Sequence, residues 1–138
     1  MLLLTPSRMI RVTKSEIPQP TPAELAILTI LWRNGSGTVR EVHEAMASSV
    51  GYTTVLKLLQ IMTTKGLVTR TESGRTHIYA AAMTEESTQR RMVTDLVDRA
   101  FGGSALRLVV QALSTKPATP EELEEIKRLL SEMDGGAQ

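Results

Sequence analysis

Thr53, Lys57, Gln60 and Thr64 are spaced so that on a helix they share one side, and all four side chains end in groups that hydrogen-bond to phosphate oxygens or to base-pair edges. The other side of that helix would carry Val55, Leu58, Leu59 and Met62 at i, i+3, i+4 and i+7, a stripe suited to burial. An outer side with one lysine and no acid is unlike the mixed Glu and Lys of a helix that meets only solvent. The chemistry it suits is recognition of a polyanion. Bond-making chemistry has no comparable residues: His43 and His77 stand 34 positions apart, and the chain has no cysteine, no Gly-rich phosphate loop and no cluster at metal-ligand spacing. No enzyme activity and no cofactor are expected. The acidic run Glu121, Glu122, Glu124 and Glu125 is accounted for by favourable charge at a helix start followed by a solvated face.

The whole chain has 138 residues, room for one ordinary domain or a small domain with an appendage. Its net charge of +1 conceals an asymmetry. Residues 1–83 hold nine Lys and Arg against five Asp and Glu, whereas residues 84–138 hold seven against ten, so the basic half contains the polyanion-facing segment. Aromatic residues make up only 3% of the chain, too few for platforms that stack unpaired bases, which leaves duplex DNA as the natural partner. Leu2–Leu4 is far too short for a signal core or a membrane span, and no later apolar run approaches the required ~18 residues. A cytoplasmic protein without membrane insertion is expected.

The elements that would hold these side chains are legible in order. Residues 1–20 show no periodicity and end in proline-spaced sequence, so a disordered tail is expected, with a basic arm of Arg8, Arg11 and Lys14 on DNA as the other reading. Thr21, Pro22 and Glu24 form a helix-opening capping box, after which Leu25, Leu28, Leu31 and Trp32 face inward up to Asn34-Gly35. A second box, Thr38 with Glu41, opens a helix with Val39, Val42 and Met46 inward and His43 at the edge of the core. Thr53 is expected as N-cap of the third helix, and Gly66 as its left-handed stop. Beyond it, residues 67–72 and 75–80 alternate as two strands joined by Ser73-Gly74. Three helices and a hairpin make a winged helix-turn-helix over residues 21–83. Arg70 and Arg75 then sit where a wing meets a phosphate backbone, although charges on a hairpin edge also serve simply to discourage edge pairing.

Residues 84–138 read as three more amphipathic helices, capped by Thr84, Ser104 and Thr119. Their apolar positions are Val93, Leu96, Val97 and Ala100, then Leu106, Val109, Val110 and Leu113, then Leu123, Ile126, Leu130 and Met133. Fifty-odd residues in short helices bury too little surface to stand alone, so an entwined homodimer is expected, against a monomer with its tail folded back. The expected class is mainly α with a small β-hairpin, a winged helix domain followed by a helical dimerisation domain.

The chain resembles the penicillinase and methicillin-resistance repressors of the BlaI/MecI/CopY type. The resemblance rests on the order and spacing of Ala23-Glu24-Leu25-Ala26-Ile27-Leu28 with Leu31-Trp32, Val39-Arg40-Glu41-Val42, Tyr52-Thr53-Thr54-Val55, Lys65-Gly66-Leu67-Val68, Gly74-Arg75 with Tyr79, Phe101-Gly102-Gly103-Ser104, and Glu121-Glu122-Leu123 with Leu129-Leu130. It implies a homodimeric repressor on a palindromic operator, with Thr53, Thr54 and Lys57 reading bases, Gln60 deeper along the helix and Arg75 on the wing. It also implies release when a membrane-bound sensor metalloprotease signals cleavage in the dimerisation region, at the bond matching Gln111 to Ala112. The beta-lactam repressors have Asn-Phe there, and the copper-responsive branch has Cys-x-Cys motifs that this chain lacks. From the residues alone, two other uses stand beside repression by occupancy: a winged helix for protein contacts, and a repressor that senses a small ligand between its C-terminal helices.

Overall fold

The structure, a computed structural model, describes residues 17–47 and 50–136. The chain divides after Met92 into two compact units. The first holds α1 (Pro22–Asn34), α2 (Val39–Ala45), α3 (Tyr52–Lys65) and a hairpin of β1 (Val68–Ser73) and β2 (Thr76–Ala81). Helix α4 (Glu85–Ala100) follows and crosses the division, and α5 (Ala105–Thr115) and α6 (Pro120–Gly136) complete the order. The winged helix-turn-helix expected from the sequence is therefore present. The division falls within α4, whose beginning packs with the first unit, where Thr88 is buried.

Both capping boxes form as expected. Thr21 and Glu24 satisfy each other's backbone N–H groups at 3.2 and 2.9 Å, and Thr38 and Glu41 do the same at 3.1 and 2.9 Å. Thr119 and Glu122 repeat the device on α6 at 3.1 and 2.9 Å. The Thr84 and Ser104 hydroxyls accept from the N–H groups of Ser87 and Arg107 at 3.0 and 3.1 Å. Helix α3 ends in a Schellman motif: Gly66 is left-handed at φ 87°, its N–H reaches the Thr63 carbonyl, and the Leu67 N–H reaches the Met62 carbonyl at 2.9 Å. The start of α3 corrects the sequence reading. Its N-cap is Gly51 rather than Thr53, no side chain caps it, and Thr53 lies within the first turn.

The hairpin turn is displaced by one residue from Ser73-Gly74. Ser73 pairs with Thr76, so the two-residue loop is Gly74-Arg75, with Gly74 at φ 66° in its first central position. Right-twisted hairpins require positive φ there, and glycine adopts it without strain, so the glycine rather than the strand pattern sets the register. A contact across the unit adds a third edge: Gly37 and Tyr79 exchange both backbone hydrogen bonds, at 2.9 and 2.8 Å. That bridge ties the α1–α2 loop to the wing.

The core of the first unit joins Ile27, Leu28 and Leu31 of α1 to Val42, to Val55, Leu59 and Met62 of α3, and to Tyr79, all nearly inaccessible to water. Each such side chain contributes about 1.5–3 kcal/mol by leaving water. Ile27 and Ile30 are buried where the sequence reading had placed Leu25, which is half-buried, and Leu58 is half-buried at the border. His43 is at the edge of the core as expected: its Nε2 donates to the Val50 carbonyl at 3.2 Å, and its ring meets Tyr52 edge to face. Trp32 Nε1 donates to the Met83 carbonyl at 2.9 Å.

Ile17, within the stretch expected to be a tail, is buried, and its carbonyl accepts from Arg91 of α4. Gln19 donates to the Arg91 carbonyl at 3.4 Å. Arg8, Arg11 and Lys14 lie outside the described residues.

One exposed position carries backbone strain. Ala47, just past α2, has φ 59°, a left-handed conformation that its Cβ disfavours. Ala47→Gly is expected to stabilise the protein by about 1 kcal/mol, seen as a higher midpoint in denaturant unfolding at unchanged slope.

In the second unit the apolar positions of the helices are left open by a single chain. Val93, Leu96, Leu106, Val109, Val110, Leu123, Leu129, Leu130 and Met133 are all exposed, Leu106 and Met133 by about 70%. No helix among the described residues is long and apolar enough to cross a membrane.

Candidate nucleic-acid interface

Helix α3 buries Val55, Leu59 and Met62 and turns Thr53, Thr54, Lys57, Gln60, Ile61 and Thr64 outward. At 100° per residue these six fall on an arc of about 120° centred on Lys57. The set expected from the sequence is thus brought together on one exposed surface. Ile61, 40% exposed in the midst of it, was missed, because an apolar residue was sought only on the inner stripe.

What sets α3 apart is its beginning. Helices α1, α2, α4 and α6 carry an acidic residue in the first turn, and α5 has Ser104 as a side-chain cap. Alone among the six described helices, α3 has neither an acid nor a side-chain cap there. Its first bonded N–H is that of Val55, to the Gly51 carbonyl at 3.1 Å, and the N–H groups before it remain available to an acceptor from outside. Backbone donors, the positive end of the helix dipole and the Lys57 ammonium therefore favour the same kind of ligand, an anion.

The wing places Arg75 in the hairpin turn itself and Arg70 opposite Tyr79 in mid-strand, both exposed. His77 and Glu72, opposite each other in the register, are 3.5 Å apart. Between α2, the start of α3 and the wing lies an open cleft of about 490 Å3, lined in part by Arg40, Tyr52, Leu56, Arg75, His77 and Tyr79. Arg40 was read from the sequence only as part of a family pattern. Nothing in its spacing signals that the fold would bring it beside the wing.

Lys65, the last residue of α3, is turned to an internal partner. Its Nζ lies 2.8 Å from both carboxylate oxygens of Glu24, which is only 2% exposed. Burial by itself would raise the Glu24 pKa, but the bond from Lys65, the Thr21 N–H, the Lys65 charge and the Thr21 hydroxyl together outweigh it and hold the carboxyl below its ordinary value. The pair fastens the end of α3 to the start of α1. Sequence reading took Glu24 only as a capping residue.

Gln111 and Ala112 are exposed in the middle of α5. Proteases take extended chain, so cleavage there requires the helix to open first. Among the described residues no group of His, Cys, Asp and Glu could hold a metal ion.

Comparison with known proteins gives the family. A model of the penicillinase repressor family matches residues 20–132. The chain is similar to the transcriptional regulator BlaI of Mycobacterium tuberculosis strain H37Rv, at 32% identity over 117 residues covering 82% of this chain and 83% of that protein. It is similar to the penicillinase repressor of Bacillus licheniformis, at 23% identity over 119 residues covering 85% and 93%. A solution structure of the DNA-binding domain of the repressor BlaI aligns at 27% identity and a TM-score of 0.46, covering 50% of this chain and 87% of that one.

Proposed function

Because the chain belongs to the penicillinase repressor family, we propose that it is a BlaI-type DNA-binding transcriptional repressor that sets α3 into the major groove of its operator. The single observation that carries this reading is the outer arc of α3, exposed and free of acid, on a helix whose first turn is left uncapped. In this reading Thr53, Thr54, Lys57, Gln60 and Thr64 face base edges or the adjoining phosphates, and Ile61 offers an apolar surface to a thymine methyl group. Arg70 and Arg75 rest the wing on the backbone. The first unit serves DNA binding, over residues 21–83 and the beginning of α4, and the remainder of residues 84–138 serves dimerisation.

Homodimerisation is supported by the apolar rows of α4, α5 and α6, whose exposure on a single chain has no use in solvent. Two copies related by a two-fold axis would present their α3 helices about 34 Å apart and so require an inverted-repeat site. Repression then follows from occupancy.

Lys57→Ala is expected to weaken binding to a duplex from the gene's own upstream region by about 1–3 kcal/mol. Thr54 and Gln60 substitutions are expected to change which bases are preferred. Fluorescence anisotropy with the full chain measures both, and unaltered affinity and preference in all three variants would remove α3 from the interface.

A further inference from the structure

The cleft beside α3 has a chemical character of its own. Arg40 of α2 and Arg75 of the hairpin turn both line it, and among the described residues neither is ion-paired. Glu41 and Glu72, near the two arginines in the chain, have other partners: Glu41 accepts from the Thr38 N–H at 2.9 Å, and Glu72 faces His77, itself part of the lining, at 3.5 Å. Two arginines from separate elements, neither in an ion pair, thus line one concavity whose lining contains no acid. Guanidinium forks match the oxygens of phosphate, and two of them across one opening form a clamp rather than a diffuse basic patch. The lining also contains Thr38, Tyr52, Thr76, His77 and Tyr79, whose hydroxyl and ring nitrogen groups can add hydrogen bonds to a phosphate held by the arginines. At about 490 Å3 the space admits a sugar–phosphate unit with its hydration rather than only a bare ion.

We propose that this cleft is a phosphate-binding subsite that captures one backbone phosphodiester of the operator beside the base pairs facing α3, with Arg40 and Arg75 as its two cationic ligands. The inference rests on the groove-bound reading of α3 and adds a contact from α2. The physical consequence is registration. A phosphate pinned between α2 and the wing fixes how far α3 can slide along the groove, while carrying no sequence information of its own. The two arginines act on a single phosphate, so their removal is not additive.

The test uses the full chain and a fluorescent duplex from the gene's own upstream region, titrated between 50 and 200 mM salt. For Arg40→Ala the expected result is a Kd raised about 5- to 20-fold at low salt and a salt slope less steep by about one, with unchanged preference among base-substituted duplexes. Arg40→Ala with Arg75→Ala should lose little more slope than either alone. Arg40→Lys should recover part of the slope but not all of the affinity, since a point charge replaces a fork. Arg40 is exposed and unbonded, and unchanged thermal unfolding of the variants would separate the effect from misfolding. A wild-type protein that binds the duplex while Arg40→Ala keeps both Kd and slope overturns the subsite. So does a change in base preference, which would make Arg40 a base reader. Failure of the wild type to bind any duplex at low salt would instead strike at the reading of α3. Inorganic phosphate provides the remaining arm: competition with the duplex beyond that of chloride at equal ionic strength, abolished in Arg40→Ala, supports the clamp. Such competition with Arg40→Ala duplex affinity unchanged assigns the cleft to free phosphate and overturns the operator contact.

Discussion

Lys65→Met should destabilise the protein by about 3–5 kcal/mol, more than Glu24→Gln does, although both variants break the same pair. The asymmetry follows from burial. The Lys65 side chain is 24% exposed and can turn its ammonium toward water once Glu24 is gone, whereas the Glu24 side chain is 3% exposed and cannot. Removing the lysine leaves a carboxylate in the core with only Thr21 as partner; removing the acid leaves a cation near the surface. The pH profile distinguishes this from a general packing defect. The folded-state pKa of Glu24 is depressed, so the stability it contributes is fully present above the unfolded value, about 4.3, and is lost as pH falls through the lower folded value. Wild type should therefore show an acid limb below about pH 4 that is flattened in Glu24→Gln. In Lys65→Met burial meets less opposition, so the variant should recover relative to wild type as the pH drops. Denaturant unfolding between pH 3 and 7 measures all three. Equal losses in the two variants with parallel pH profiles would sink this account. The salt slope of operator binding should be the same in Lys65→Met as in wild type, because Lys65 is already paired with Glu24.

Leu130→Asp combined with Met133→Asp should leave the chain monomeric at micromolar concentration and weaken binding to a complete inverted repeat by about 10²–10⁴-fold. The two side chains are 60% and 69% exposed on a single chain, so charging them costs a monomer almost nothing, but a desolvated apolar seam would have to bury unpaired carboxylates. Affinity for a half-site should be nearly untouched, because α3 and the wing belong to the other unit. Sedimentation gives the oligomeric state, and anisotropy with whole and half sites gives the two affinities. A variant that remains dimeric would move the interface off α6. A wild-type chain that sediments as a monomer with and without duplex would refute homodimerisation itself.

Sequence patterns were most informative where structure is local. The capping boxes at Thr21, Thr38 and Thr119 and the glycine stop at Gly66 are each decided within a few residues, and each formed as read. The outer arc of α3 was equally legible, because helical periodicity alone fixes which side chains share a side. Errors arose where two local signals competed. Thr53 is a better capping residue than Gly51, yet the chain starts the helix at Tyr52, which contacts His43, and leaves its first turn uncapped. At the hairpin, alternation suggested a turn at Ser73-Gly74, and the φ requirement of Gly74 moved it to Gly74-Arg75.

The amino-acid sequence by itself determined the element order, the family and the side chains that share the exposed outer arc of α3, since all of these follow from periodicity, capping chemistry and spacing along the chain. Tertiary structure alone decided that Lys65 pairs with Glu24, that Gly37 joins the wing through Tyr79, and that Arg40 and Arg75 line one cleft. Those pairs are separated by 35 to 42 positions, and a contact over such a distance is set by how helices and hairpin pack around a shared core, which no local pattern encodes.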